Sequence, residues 1–346
     1  IDGTRRGAVP GLMRSFLRLA EFPYTWAVRI RNRRFDRGVT PTTRVNVPVI
    51  SVGNITTGGT GKTPMVAWLA RWFREQNIRV SLISRGYRAE AGGQNDEARE
   101  LEALLPDVPH LQNPDRIAAA EIAIEELQTQ LIILDDGFQH RRIHRDLEIV
   151  LIDALQPFGF GHVLPRGLLR EPLQGLRRAD VVMLSRADAV SDEIRTQLQR
   201  QVETWAPQAT WCETAHRPTC LIDASGQRQP VDELAGQRVA AFCGIGNPPA
   251  FRQALASLGC DVAAFRTFPD HHAYQREDLE QLSEWVAEVA PDLVVCTRKD
   301  QVKIAVDRLS DARLMALAVE INLLDGRSPL EDHLHSLLSL VDRRDD

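Results

Sequence analysis

Apolar and polar positions alternate along this chain with two periods. Val47–Val52 is a short apolar run rich in β-branched residues, the pattern of a buried parallel strand. A Gly/Thr-rich turn follows, and Gly61-Lys62-Thr63-Pro64 then opens a helix. Val66, Leu69, Ala70 and Phe73 fall at i, i+3, i+4 and i+7 of that helix, so one face packs on a sheet. Further strands are predicted at Arg79–Ser84, Leu131–Asp136, Leu147–Asp153 and Asp180–Ser185. Helical stretches separate them, one of which is capped by Asn113-Pro114-Asp115-Arg116. This βα alternation predicts an α/β fold with a doubly wound, mostly parallel sheet, whose ligand sites lie at the strands' C-terminal ends. The register changes near Ala206-Pro207. Two short β-like runs, Ala209–Thr214 and Thr219–Asp223, predict a two-stranded β-ribbon. A second, smaller α/β pattern begins at Arg238. It comprises Val239–Cys243, a helix through Leu258, Val262–Phe268, a helix over 276–289, and Asp292–Cys296. The expected organisation is a leader over 1–40, a phosphate-loop domain over 41–207, a ribbon region over 208–235 and a smaller domain over 236–346. The end of that last domain can return to the linker and the first domain.

The leader has its own pattern. Over residues 11–22, Leu12, Met13, Phe16, Leu17, Leu19 and Ala20 share one helical arc, with Arg14, Arg18 and Glu21 opposite. Pro23 is expected to end or kink this helix. Tyr24 and Trp26 follow, then an arginine cluster over 29–37. An apolar face, interfacial aromatics and flanking arginines describe a helix lying in a membrane interface, although a helix packed on its own domain gives the same pattern. Charge sharpens the picture. Residues 1–40 hold nine arginines against Asp2, Glu21 and Asp36, whereas the whole 346-residue chain carries a net charge of −5. A basic leader on an acidic body argues against nucleic-acid binding and for an anionic surface met by the leader. The composition, 43% hydrophobic and 26% charged, is that of an ordinary globular protein large enough for two domains. Five scattered cysteines without a C-x-x-C predict neither disulfides nor a zinc site and fit a reducing cytoplasm. No apolar run reaches a membrane span of roughly 18 residues, and arginines interrupt the only stretch resembling a signal peptide.

The chemistry begins at Thr56-Thr57-Gly58-Gly59-Thr60-Gly61-Lys62-Thr63. A strand, a glycine loop and a helix N-terminus together bind phosphates, because backbone N–H groups point inward and the helix dipole favours anions. Lys62 is expected to neutralise the β- and γ-phosphates of ATP, and the Thr63 hydroxyl to ligate Mg2+. One departure stands out: the signature G-x-x-x-x-G-K-[ST] has Gly where this chain has Thr56. Lysine occurs only at 62, 299 and 303 among 42 basic residues, so a lysine at the loop position suggests a required point charge. Leu131–Asp136 ends in two carboxylates, Asp135 and Asp136, the arrangement in which an acid at a strand tip reaches Mg2+. Between the later strands lies a long Gly/Pro/Arg-rich loop, including Leu164-Pro165-Arg166-Gly167-Leu168-Leu169-Arg170-Glu171-Pro172. A loop of that length is more often functional than idle.

Taken in order, these stretches carry a family resemblance. G-N-I-T-T-G-G-T-G-K-T-P, S-R-G-Y, N-D-E, N-P-D-R, D-D-G-F-Q-H, L-P-R-G-L-L-R-E-P, G-I-G-N-P, F-P-D-H-H-x-Y and T-R-K-D together resemble the tetraacyldisaccharide 4'-kinase family of lipid A biosynthesis. The likeness runs from about residue 12 to about residue 322, and the threonine at 56 is what that family shows. The resemblance implies an ATP- and Mg2+-dependent transferase at the cytoplasmic face of the inner membrane, associated peripherally. Its acceptor would be the 4'-hydroxyl of an acylated glucosamine disaccharide 1-phosphate, and no obligatory protein partner is evident. Carried over residue by residue, it implies Lys62 and Thr63 for nucleotide and metal, and Asp135 and Asp136 for the metal region. Asp96 with His271 would be a catalytic pair, and Glu97, Arg116, Arg170 and Glu171 would be cleft residues. The leader is less apolar than is common in the family. Two rivals are a regulatory P-loop NTPase at the membrane surface and a non-catalytic adaptor with a vestigial nucleotide fold. The N-K-x-D of guanine readers is absent, since the three lysines follow Gly, Arg and Val, and the intact Lys62, Thr63 and Asp135 oppose a vestigial fold.

Overall fold

The computed structural model describes residues 7–86, 96–270, 272–304 and 306–345, with the backbone alone at 8, 96, 97 and 342–345. The chain divides into two compact units. One comprises 1–86, 107–215 and 322–346, and the other 87–106 and 216–321. The first unit opens with α1 (Ala8–Asp36), β1 (Val49–Asn54), α2 (Lys62–Glu75) and β2 (Val80–Ser84). After α3 (Asp96–Leu104), which belongs to the second unit, come β3 (His110–Gln112), α4 (Arg116–Leu127), β4 (Leu131–Asp135) and β5 (Leu147–Asp153). β6 (Val181–Ser185), α5 (Asp192–Glu203) and β7 (Thr210–Ile222) follow. β7 leads into the second unit, which holds β8 (Arg228–Pro230), β9 (Arg238–Cys243), α6 (Pro248–Ser257) and β10 (Asp261–Thr267). It continues through α7 (Arg276–Val289), β11 (Leu293–Thr297), α8 (Arg298–Ile304) and β12 (Arg308–Leu309). β13 (Ala312–Asp325) returns to the first unit, and α9 (Arg327–Asp345) adds its last helix.

The first unit's strands lie in the order β7-β6-β5-β1-β4-β2-β3, with every pairing parallel. β1 is central, with Val49 opposite Ile132 of β4 and Ile50 opposite Leu147 of β5. β1, β2, β4, β5 and β6 are buried along their whole lengths. Their near-continuous apolar runs follow from this, because helices cover both faces of such a sheet. α2 buries Met65, Val66, Ala67, Leu69, Ala70 and Phe73, each large side chain contributing about 1.5–3 kcal/mol of transfer free energy. In the second unit the order is β10-β9-β11-β13, again parallel, with β12 antiparallel to β13 and β8 antiparallel to the end of β7.

Two expectations meet a different structure. Of the two outcomes expected at Pro23, an end or a kink, the end does not occur: α1 is helical from Ala8 to Asp36 with the proline inside it. An interior proline costs roughly 3 kcal/mol, and contacts on both sides of it offset that cost. Before it, Glu21 accepts the Val163 N–H at 2.8 Å and pairs with His162 at 3.0 Å. Beyond it, Asp36 pairs with Arg141 at 2.8 Å and also with Arg177. The two β-like runs at 209–223 are not the two strands of a ribbon either. They form one strand, β7, which lies between β6 and the long β13 in the sheet order. His216-Arg217-Pro218 interrupts the apolar pattern without interrupting the backbone.

Two glycines let the turn after β4 approach β1. A Cβ on Gly53 would meet Phe138 Cβ at 2.5 Å and Phe138 N at 2.7 Å, and one on Gly137 would overlap the Ser51 side chain. Gly53→Ala is therefore expected to cost about 1–3 kcal/mol through overpacking, read as a lower urea midpoint. Gly11→Ala, in α1 with no atom within 4 Å of the added methyl, is expected to be neutral or to stabilise by about 0.5–1 kcal/mol. Equal midpoints for the two variants would contradict this packing.

Candidate active site

The loop between β1 and α2 is shaped by two left-handed glycines, Gly58 (φ 116) and Gly61 (φ 84), the latter immediately before α2. Thr56, where the general signature has glycine, is buried. It has no positive φ, and its backbone forms a bridge with Leu169. Nothing about that position needs glycine here, because the 162–170 segment holds the loop's first turn from outside. Thr57 N–H donates to Leu168 O at 2.7 Å, and Arg170 N–H donates to Ile55 O at 2.8 Å. Gly59 O accepts from Arg186 at 3.1 Å, and Asn54 Nδ2 donates to Gly58 O at 3.4 Å. Thr60 is buried. Among the described residues neither its hydroxyl nor Asn54 Oδ1 has a hydrogen-bond partner, so polar atoms of the loop remain available to a ligand.

Lys62 and Thr63 form the first turn of α2. Lys62 Nζ stands 3.5 Å from Asp136 Oδ1. Arg170 approaches the same carboxylate from the other loop, with Nη1 2.8 Å from each oxygen. Burial works against ionisation of Asp136, but the charges of Lys62 and Arg170 outweigh it and hold the carboxyl down at about 2. Asp136 also has a left-handed backbone (φ 53), an uncommon conformation for a residue with a side chain. Arg116 sustains that turn from behind. It is buried, and its Nη2 donates to the carbonyls of Asp135 at 3.0 Å and Asp136 at 3.1 Å. Asp135 ends β4 with its side chain largely buried. Thr63, Asp135 and Asp136 offer oxygen only, the donor chemistry of a hard cation such as Mg2+.

Glu171 is fully buried. Arg178 grips it with two bonds of 3.0 and 2.9 Å, and Gln139 Nε2 donates to it at 3.2 Å. Arg116 and Glu171, expected as cleft residues, thus support the loops from within, whereas Arg170 faces the Lys62–Asp136 pair. Asp96 and Glu97 begin α3 in the second unit, and their side chains lie outside the described residues, as does all of His271. The second unit's motifs converge instead on Asp300, a buried carboxylate. It accepts from Gly244 N–H at 3.1 Å, Tyr274 O–H at 2.9 Å and the Thr297 hydroxyl at 2.5 Å. Beside it, His272 pairs with Asp278 at 2.9 Å, while Lys299 stands 3.8 Å from Asp270.

Sequence reasoning missed Arg186, which follows β6 and bonds Asp153 and the loop carbonyl of Gly59. Its signal was available: a basic residue at the C-terminal tip of a parallel strand. Gln139, by contrast, stood within a quoted motif without a role. It donates to Asn54 O at 3.0 Å and so ties the turn after β4 to the end of β1.

Comparison with known proteins follows the same outline. The sequence profile of the family described as "LpxK: Tetraacyldisaccharide-1-P 4'-kinase" matches residues 13–339. A tetraacyldisaccharide 4'-kinase of Anaeromyxobacter sp. (strain K) is 38% identical over 97% of this chain and 93% of its own length. One from Halothermothrix orenii is 36% identical over 89% of this chain and 88% of its own. Among solved structures, the "apo" form of LpxK from Aquifex aeolicus in complex with ATP superposes with a TM-score of 0.73. It is 29% identical and covers 94% of this chain and 99% of its own.

The site also carries a pH signature. Burial, reinforced by Arg116, Arg145 and Arg142, pushes His140 down to about 4. An unfolded histidine titrates near 6.5, so the stability tied to neutral His140 is complete above that pH and is lost as pH falls towards 4. Burial pushes the Glu148 carboxyl the other way, up to about 7, so its effect has the opposite slope. His140→Gln isolates the histidine. Between pH 7.5 and pH 5 it is expected to lose about 1–2 kcal/mol less stability than the parent, after discounting for partial exposure, as read from urea midpoints. Parallel pH profiles would contradict a neutral His140.

Proposed function

The chain belongs to the tetraacyldisaccharide 4'-kinase family, and we infer from that membership and from its phosphate loop how it works. It is an ATP-dependent kinase, a phosphotransferase with an alcohol acceptor, that phosphorylates the 4'-hydroxyl of tetraacyldisaccharide 1-phosphate in lipid A biosynthesis. The observation that carries the mechanism is the Lys62–Asp136–Arg170 cluster at the mouth of the β1–α2 loop. Two cations beside one carboxylate suit a site in which triphosphate oxygens share or exchange partners with that carboxylate. We assign Thr56 to Thr63 to the nucleotide, with backbone N–H groups and Lys62 on its phosphates. Thr63, Asp135 and Asp136 would hold Mg2+, which when bound neutralises charge on the phosphate oxygens.

The acceptor oxygen attacks the γ-phosphorus, the β–γ bridging P–O bond breaks, and ADP leaves. The hydroxyl proton must go to a base, and we assign that role to the Asp96 carboxylate, with His271 orienting it or raising its basicity. Lys62 and Arg170 would meet charge that spreads over the transferring phosphoryl group.

We further propose that the protein works on the cytoplasmic face of the inner membrane, held there by α1, and without an obligatory protein partner. Val9, Leu12, Met13, Phe16, Leu19, Phe22 and Trp26 of α1 are 62–73% exposed and point away from the unit, while Glu21 and Asp36 point into it. No described helix is long and apolar enough to cross a membrane. A solvent-facing apolar stripe beside an arginine cluster supports a helix lying in an anionic lipid surface.

Phosphorylation is read by mass after incubation with ATP and the lipid disaccharide 1-phosphate. Lys62→Ala is expected to abolish product while the melting temperature holds. Asp96→Asn is expected to lose roughly 10²–10⁴-fold in turnover with nucleotide affinity retained, because Asn caps a helix as well as Asp but is no base. Full turnover in a folded Lys62→Ala protein would remove the loop assignment, and full turnover in Asp96→Asn the base.

Liposome flotation tests the surface. Replacing Phe16 and Leu19 by Ser, or Arg29, Arg31, Arg33 and Arg34 by Gln, is expected to move protein off anionic vesicles. High salt should weaken binding of the parent. Unchanged flotation in both variants would exclude α1 as the anchor.

A further inference from the structure

We propose that α1 forms part of the active site's wall, with Tyr24 and Asn32 as positioning residues that seat Arg170 against Asp136. The proposal rests on the reading of Arg170 and Asp136 given above. α1 meets the first unit with the less expected of its two faces. Most of its large apolar residues, Leu12, Met13, Phe16, Leu19, Phe22 and Trp26 among them, point outward, whereas adhesion alone would have turned them inward. The inward stripe mixes the apolar Val28 and Phe35 with polar side chains, and two of its polar bonds fall on consecutive residues of one loop. Tyr24 O–H donates to the Arg170 carbonyl at 3.0 Å, and Asn32 Nδ2 donates to Glu171 Oε2 at 2.8 Å.

Those two residues have few other degrees of freedom. Arg170 N–H is fixed to Ile55 O at the start of the phosphate loop, so the Tyr24 bond fixes the other end of the same residue. Glu171 is fully buried between Arg178, Gln139 and Asn32. Arg178 and Gln139 come from the domain body. Asn32 supplies the contact from the helix, so the carboxylate sets the dipeptide's position relative to both. With both backbone ends and the neighbouring side chain held, the Arg170 guanidinium reaches Asp136 at 2.8 Å with little freedom left to lose. Removing Asn32's amide leaves a buried carboxylate oxygen short of a donor, a defect relieved by shifting the dipeptide.

The test compares Asn32→Ala, Tyr24→Phe, Arg170→Ala and the double variant Asn32→Ala/Arg170→Ala in the kinase assay, with kcat and both KM values resolved. Vesicle flotation and melting temperature are measured alongside. Asn32→Ala is expected to lower kcat about tenfold and Tyr24→Phe roughly threefold, with flotation unchanged. The double variant is expected to fall within about twofold of Arg170→Ala alone, because Asn32 acts through Arg170. A general loosening of the fold would instead multiply the two losses, and that result overturns the proposal. Full kcat in both Asn32→Ala and Tyr24→Phe, with Arg170→Ala impaired, also overturns it and leaves the Arg170 assignment standing. Full activity in Arg170→Ala overturns that assignment and this proposal together. Tyr24→Phe removes one hydroxyl from a part-exposed side chain, so it remains informative if Asn32→Ala fails to fold.

Discussion

The constraint on which the rest of the site depends is a single carboxylate held between two cations. Asp136 sits in a left-handed turn, 3.5 Å from Lys62 and 2.8 Å from Arg170. Each neighbour comes from a different loop, so this one group brings the phosphate loop, the turn after β4 and the 162–170 segment into register. The supporting structure follows from keeping that turn in an uncommon conformation. Arg116 anchors two of its carbonyls, Arg145 donates to those of Gly137 and Phe138, and Gly53 and Gly137 clear the space it occupies. Buried arginines are costly to desolvate unless their donors are used. Here one nitrogen of each, Arg116 Nη2 and Arg145 Nη2, is used on a pair of backbone carbonyls, which converts charge into fixed geometry.

Much of this architecture was legible in the sequence because it rests on local periodicity. β5 and α7 occur at the boundaries that the apolar pattern predicts, and β1, β2, β4 and β6 differ by only a residue or two. Strands buried on both faces have little choice of composition, and the glycine loop between β1 and α2 has a chemical signature of its own. Lys62, Asp136 and Arg170, named from three separate stretches, do converge.

What stayed illegible depends on tertiary partners. Nothing in Phe22-Pro23-Tyr24 says that a helix continues through the proline, since the compensation comes from Val163, His162, Arg141 and Arg177, distant in sequence. Nothing in His216-Arg217-Pro218 says that β7 persists. The polar residues of α1 are ordinary surface residues by composition, and only their partners give them meaning. Arg116 and Glu171 share that history: the resemblance implies cleft residues, and only the distant partners show that both are buried and paired.

The path of the chain through the two units has a consequence for how the molecule comes into being. The first unit is assembled from three separated stretches, the last of them 322–346, where Leu330, Leu334, Leu337 and Val341 of α9 are buried. Trp72 of α2 packs against His335, and Thr210 of β7 bonds His333. A ribosome emits residues in order, so the stretch carrying the phosphate loop emerges early and then waits for its closing helix until more than two hundred further residues have been made. Contacts of such long sequence separation close slowly. Until α9 is made, the apolar surface that Leu330, Leu334, Leu337 and Val341 cover has no partner on the nascent chain. The intervening unit, by contrast, needs only the short piece 87–106 from upstream and is complete before the chain ends.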